Sequence, residues 1–305
     1  MQRVELGSGG VLATGRWLKV RALAWMMALT IITVVLYNAT TRGVVLVFAE
    51  EGTGPTDGLR LAAAVAGVLA ILLFYGMAVR WGERRAPGEL SWRGAGRDIA
   101  LGMALGAALI ALVVAVQWAA GWVTVTPRPV ESAVLALRDA LRSGVLEELV
   151  LRLIVLRLLW RIFGAWPAIA GSALLFGALH MANPDASLFA AACLIAGEGV
   201  AIGLYLITGR IWASMAWHAS WNFTQGWLLG AAVSGTEDFA GGPLATSPIP
   251  GVNPLFNGGG FGPEASLPAL GVSLVASIAT LRWAWKRGAM AGETRDERLD
   301  DAGGR

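Results

Sequence analysis

The chain has 305 residues, of which 56% are hydrophobic and only 15% charged, with a mean hydropathy of +0.61. Soluble domains run at about one-quarter charged residues, so this composition excludes an ordinary globular enzyme and points to a protein whose body lies in a membrane. The basic balance, a net charge of +3 and a pI near 9.5, fits positive loops beside anionic lipid, and no nucleic-acid motif accompanies it.

Windows of about 20 apolar residues give eight expected spans, near 22–40, 59–79, 99–120, 144–162, 165–182, 186–207, 211–233 and 267–285. Lipid cannot satisfy an open backbone, so the expected fold is an all-α polytopic bundle; the ten-residue alternation of an outer-membrane barrel is absent. Glycine and alanine along the spans suit close helix contacts, and no internal repeat supports a transporter built from duplicated halves.

Basic residues set the orientation. Arg16, Lys19 and Arg21 precede the first span, Arg80, Arg84, Arg85, Arg93 and Arg97 lie between the second and third, and Arg157, Arg161, Arg210, Lys286 and Arg287 follow at later ends. In an eight-span chain these share one side, which the positive-inside rule assigns to the cytoplasm, with both termini there and the chain in an inner or plasma membrane. The 234–266 loop, with Glu237, Asp238 and Glu264, is expected outside.

Three smaller segments complete the reading. "VESAVLALRDALRSG", 130–144, reads as an amphipathic helix at the interface before the fourth span. Residues 1–286 form the membrane domain and 287–305 a polar cytoplasmic tail. Cys193, the single cysteine, reads as a small buried hydrophobe.

The fourth span carries ionisable groups, which are expensive in a membrane and mark function. In "SGVLEELVLRLIVLRLLW", Glu148 and Arg152 are four apart on one helical face and can pair, while Glu147 is turned by about 100° from Glu148 and about 140° from Arg152. One carboxylate is therefore paired and the other left free to act as a general base. Only two histidines exist, His180 in "FGALH" and His218 in "HASWN". Phe176 shares a face with His180, and Asn222 shares one with His218. A base, two imidazoles and an amide thus collect in a chain with little other polarity in its spans.

In order and approximate spacing, "EELVLR", "FGALH" and "HASWN" resemble the three motifs of the CAAX-processing and bacteriocin-processing intramembrane proteases, also called the Abi family. The resemblance is specific over about 129–233, the expected catalytic core, and "GLYLITGRIWASMAWH" looks like that family's approach to its last motif. It implies an intramembrane glutamate endopeptidase of the kind that removes the last three residues of prenylated CAAX proteins. By the same resemblance Glu147 and His180 activate water, His218 and Asn222 hold the oxyanion, and Glu148 and Arg152 act as second carboxylate and structural partner. The cavity would open toward the cytoplasm and take a membrane-anchored protein or peptide. One departure is Leu153, where the family often has glycine after the motif arginine.

Two other chemistries were weighed. Glu147, His180 and His218 could form a His₂Glu zinc site, but no HExxH pair lies on one helix, so a metal-free reaction without a cofactor is favoured. A non-enzymatic transporter or assembly and immunity factor could use the same polar cluster, with Glu198 in "IAGEGVAIG" as a further intramembrane acid that reads more readily as a cavity-facing structural or substrate-contact residue.

Overall fold

The computed structural model describes residues 3–50, 52 and 54–291; the expected tail therefore lies mostly outside the described residues. Helix α1 (Leu18–Phe48) and α2 (Asp57–Gly82) form an antiparallel pair, followed by α3 (Ala95–Ala119). Helix α4 (Val134–Leu141) runs without a break through two π-helical stretches, Arg142–Glu147 and Leu149–Leu156, into α5 (Arg157–Phe163). Helices α6 (Ala165–Leu179), α7 (Leu188–Thr208) and α8 (Trp212–Phe223) follow, α8 continuing as a π turn over Thr224–Leu228. A short α9 (Pro254–Asn257) precedes the last helix, α10 (Leu267–Lys286).

The chain is a polytopic helical membrane protein. Among the described residues six helical segments are long and apolar enough to cross a membrane. The other two expected spans are present as helices but fall short of that criterion. They are the α4–α5 segment and α8, the two that carry most of the polar motif residues.

Two expectations are corrected and one element is added. The 130–144 segment is not a separate interfacial helix: Val134–Leu141 forms the first turns of the motif helix itself. Its neutral-to-apolar face packs on α2 and α8, which outweighs the local amphipathic pattern. Second, a short two-stranded ribbon is added to the helical bundle. Strand β1 (Val123–Pro127) pairs antiparallel with β2 (Leu244–Pro248), Val123 opposite Pro248 and Pro127 opposite Leu244. The β-branched run Val123, Thr124, Val125, Thr126 favours a strand, and this ribbon ties the loop after α3 to the long loop after α8. Third, Glu264 is no solvated loop acid: it is buried among the helices.

Close backbone approach seats the motif helices against each other. A Cβ on Gly144 would lie 2.6 Å from Ala219 Cβ and 2.8 Å from the Met215 carbonyl, so the motif helix and α8 touch backbone to backbone there. Glycine makes this crossing possible, as small residues do generally between membrane helices.

The bundle end at the start of α1 and the end of α10 has its own buried ion cluster. Arg157 forks onto Glu83 at 2.6 and 2.9 Å, and Arg85 reaches Glu83 at 2.8 Å and Glu89 at 2.7 Å. Arg157 is thus a buried structural cation and not the loop charge expected of it. Burial would raise the Glu89 carboxyl, but the Arg85 guanidinium outweighs it and holds Glu89 at about 2.

Candidate active site

The motif helix starts at Val134 and not near 144. Glu147 and Glu148 then sit about halfway along a continuous helix. His180 ends the short α6, and His218 lies in the middle of α8. Glu147, His180, His218 and Asn222 all line one cavity of about 390 Å³, together with Phe176 and Ser143. Four residues from three separate motifs are brought together by packing, as their polarity suggested.

Glu148 is the hub of the buried side. Its Oε1 accepts from His218 Nδ1 at 3.0 Å and from Arg152 Nη2 at 3.2 Å. Arg152, fully buried, forks onto Glu198 at 2.6 and 2.7 Å and reaches Ser172 Oγ at 3.4 Å. The expected Glu148–Arg152 pair therefore exists, but the bidentate partner of Arg152 is Glu198. Glu198 thus anchors the Arg152 guanidinium.

Glu147 differs. Its side chain is 30% exposed, and its Oε2 lies 3.9 Å from His218 Nε2. The imidazole of His218 thus stands between two carboxylates, with Nδ1–H committed to Glu148 and Nε2 facing Glu147 and the cavity.

The other imidazole is fixed by its own helix. His180 Nδ1 lies 2.9 Å from the Phe176 carbonyl, an acceptor only, so Nδ1 carries the proton and Nε2 a lone pair. The Phe176 ring packs on both histidines, 4.3 Å from His180 and edge-on at 6.0 Å from His218. It holds the two rings apart at fixed angles.

Three contributors escaped the sequence reading. Ser143 Oγ donates to the Asp139 carbonyl at 2.9 Å, so its oxygen can only accept, and it accepts from Asn222 Nδ2 at 3.0 Å. This fixes which way the Asn222 amide faces. Ser234, in the loop after α8, has φ of 48°, a left-handed conformation rare for serine. Glu264 clamps it there by accepting from Ser234 N and Oγ, each at 2.7 Å, and the loop segment with Ser234, Thr236 and Phe239 walls the cavity. Neither Ser234 nor Glu264 belongs to a motif, and their proximity depends on the folded loop.

A zinc ion needs three protein ligands at about 2.0–2.2 Å in a catalytic site. Among the described residues no three His, Cys, Asp or Glu side chains are grouped to hold a metal.

A polytopic helical membrane protein with a polar cavity of acids, imidazoles and an amide inside its bundle defines the class. Residues 129–224 match the family described as type II CAAX prenyl endopeptidase, Rce1-like. That segment spans all three motifs, so this part of the chain is similar to the Rce1-like family. Neither a curated protein nor a solved structure matches the chain.

Proposed function

We propose that the protein is an intramembrane endopeptidase that hydrolyses a peptide bond near the C-terminus of a membrane-anchored, CAAX-like protein. The observation that carries this reading is the shared cavity of Glu147, His180, His218 and Asn222, within the segment that matches the Rce1-like family.

The chemistry follows from the donors and acceptors. A water between Glu147 and His180 gives one O–H to the Glu147 carboxylate and the other to the His180 Nε2 lone pair. Glu147 takes the proton as the water oxygen adds to the scissile carbonyl. The carbonyl oxygen gains the charge, and His218 Nε2–H and an Asn222 Nδ2–H stabilise it. Glu147 then returns its proton to the leaving amine as the C–N bond breaks. Glu148 keeps His218 oriented and charged, and Arg152 with Glu198 anchors Glu148. The reaction needs no metal.

The deciding experiment is a cleavage screen of membrane-anchored peptides with purified parent and Glu147→Gln in lipid nanodiscs, with metal analysis of the same parent preparation. Glu147-dependent release of a C-terminal tripeptide supports the proposal. Cleavage that depends on stoichiometric zinc would replace the metal-free mechanism, and an absence of any Glu147-dependent cleavage would reject the enzyme.

A further inference from the structure

Beside the catalytic cavity lies a second, more open groove of about 560 Å³ between α1, α2 and α4. The two share Arg142 and Asp238 as a common wall. The groove is lined by four guanidiniums, Arg42, Arg60, Arg138 and Arg142, against two carboxylates, Asp139 and Asp238. Four positive charges less two negative ones leave an excess of two.

The carboxylates do not neutralise the set. Asp139 is taken by Arg138, whose Nε donates to Oδ1 at 3.1 Å and whose Nη2 reaches Oδ2 at 2.5 Å. Arg142 Nε stands 3.6 Å from Asp139 Oδ1, too far for a good hydrogen bond, and its terminal nitrogens remain available. Among the described residues Arg42 and Arg60 have no acidic partner. Cations facing a partly enclosed groove call for an anion, and arginine's planar fork suits a carboxylate.

Position selects which anion. Five residues of π-helix separate Arg142 from Glu147 and four more of α-helix lead back to Arg138, about one and two helical turns, on the order of 5 and 11 Å along the axis. An extended tripeptide beyond a scissile bond spans about 10 Å. We infer that the Arg142 wall of this groove, supported by Arg138, binds the free α-carboxylate of the substrate's C-terminal tripeptide and so measures the distance from the chain end to the cleaved bond. This inference rests on the endopeptidase reading above. Arg142 acts here as a binding and specificity residue, since it touches the end of the substrate and not the reacting atoms.

The test separates the two readings by measuring binding and cleavage independently. An apolar tripeptide with a free carboxylate and its C-terminal amide are titrated against the full-length parent, Arg142→Gln and Arg128→Gln in zwitterionic nanodiscs. A membrane-anchored peptide ending in acid or amide is assayed for cleavage by the same proteins. The parent should bind and cleave the acid at least roughly tenfold better than the amide, chiefly through KM. In Arg142→Gln that ratio should fall toward one, and Arg128→Gln, outside the groove, should keep it. If nothing is cleaved but the acid still binds in an Arg142-dependent way, the carboxylate site stands and the endopeptidase reading falls. Equal binding of acid and amide by the parent overturns the inference, as does an acid preference that survives Arg142→Gln. Arg142-dependent capture of anionic phosphatidylglycerol, with no preference for the acid peptide, overturns it as well, assigning the groove to a lipid headgroup.

Discussion

His218 Nδ1 and Glu148 Oε1 lie 3.0 Å apart in a fully buried contact, whereas Glu147 faces the cavity with its side chain 30% exposed. The two adjacent acids therefore do different work. Glu147→Gln keeps the shape and removes the base, so cleavage should be lost with the melting midpoint nearly unchanged. Glu148→Gln should lower kcat by releasing the His218 ring, and should also cost about 1.5–3 kcal/mol for a charged hydrogen bond. Rates and melting curves of the two variants side by side check this; an active Glu147→Gln beside a stable, inactive Glu148→Gln would reverse the assignment.

The heavier structural penalty belongs to a different pair. Arg152 is held by a bidentate fork to Glu198, so removing Glu148 still leaves the guanidinium a counter-ion. Removing Arg152 strands two buried carboxylates. Arg152→Ala and Glu198→Gln should each lose stability on the scale of a broken buried pair, about 3–5 kcal/mol, and the double variant should lose less than the sum. Additive losses in thermal or denaturant melts would show that the two do not form one unit.

These two predictions also mark what the sequence could reveal. Glu148 and Arg152 are separated by four residues, and helix geometry alone pairs them. Glu198 lies 46 residues from Arg152, so nothing in local spacing names it as the better partner. The motif histidines were legible because so few polar groups interrupt the apolar spans. Ser143, Ser234 and Glu264 were not, because their roles depend on a loop that folds back over the bundle and on a hydroxyl whose only distinction is its neighbour. The strand Val123–Pro127 was missed for a related reason: its β-branched run is short, and its partner, Leu244–Pro248, lies far along the chain.

Ser143 carries a prediction of its own. Its oxygen is obliged to accept from Asn222, so it positions the proposed oxyanion donor without touching substrate. Asn222→Ala should lower kcat by about 10²–10³, and Ser143→Ala by a smaller factor with KM unchanged. Adding Ser143→Ala to Asn222→Ala should cause no further loss. A multiplicative effect in the double variant would refute the positioning role.

The crossing at Gly144 is the tightest constraint on how the motifs meet. Gly144→Val would push a side chain into Ala219 and the Met215 carbonyl, forcing α8 away from the motif helix and His218 away from Glu148. Overpacking of this kind costs about 1–3 kcal/mol, and activity should fall further than stability alone accounts for. Gly96→Ala in α3, with nothing within 4 Å of the added Cβ, is the matched control and should be neutral or stabilising. Equal behaviour of the two variants would show that the close approach is not required.

The last prediction concerns sidedness, where two expectations collide. The cavity is walled by the end of α6, the start of the motif helix and the loop after α8, at the end of the bundle opposite the start of α1 and the end of α10. The terminal end exposes Arg16, Lys19, Arg80, Arg93, Arg97, Lys286 and Arg287, against Arg42, Arg60 and Arg142 at the cavity end. The positive-inside rule then assigns the termini to the cytoplasm, and the cavity cannot also open there as the motif resemblance implies. Because Cys193 is the only cysteine, Cys193→Ala provides a clean background for single reporters at exposed Arg16 and Asp238. A membrane-impermeant maleimide should label Asp238→Cys in intact cells and Arg16→Cys only after permeabilisation. The opposite pattern would put the cavity on the cytoplasmic side and the termini outside, and labelling of both from one side would contradict the fold.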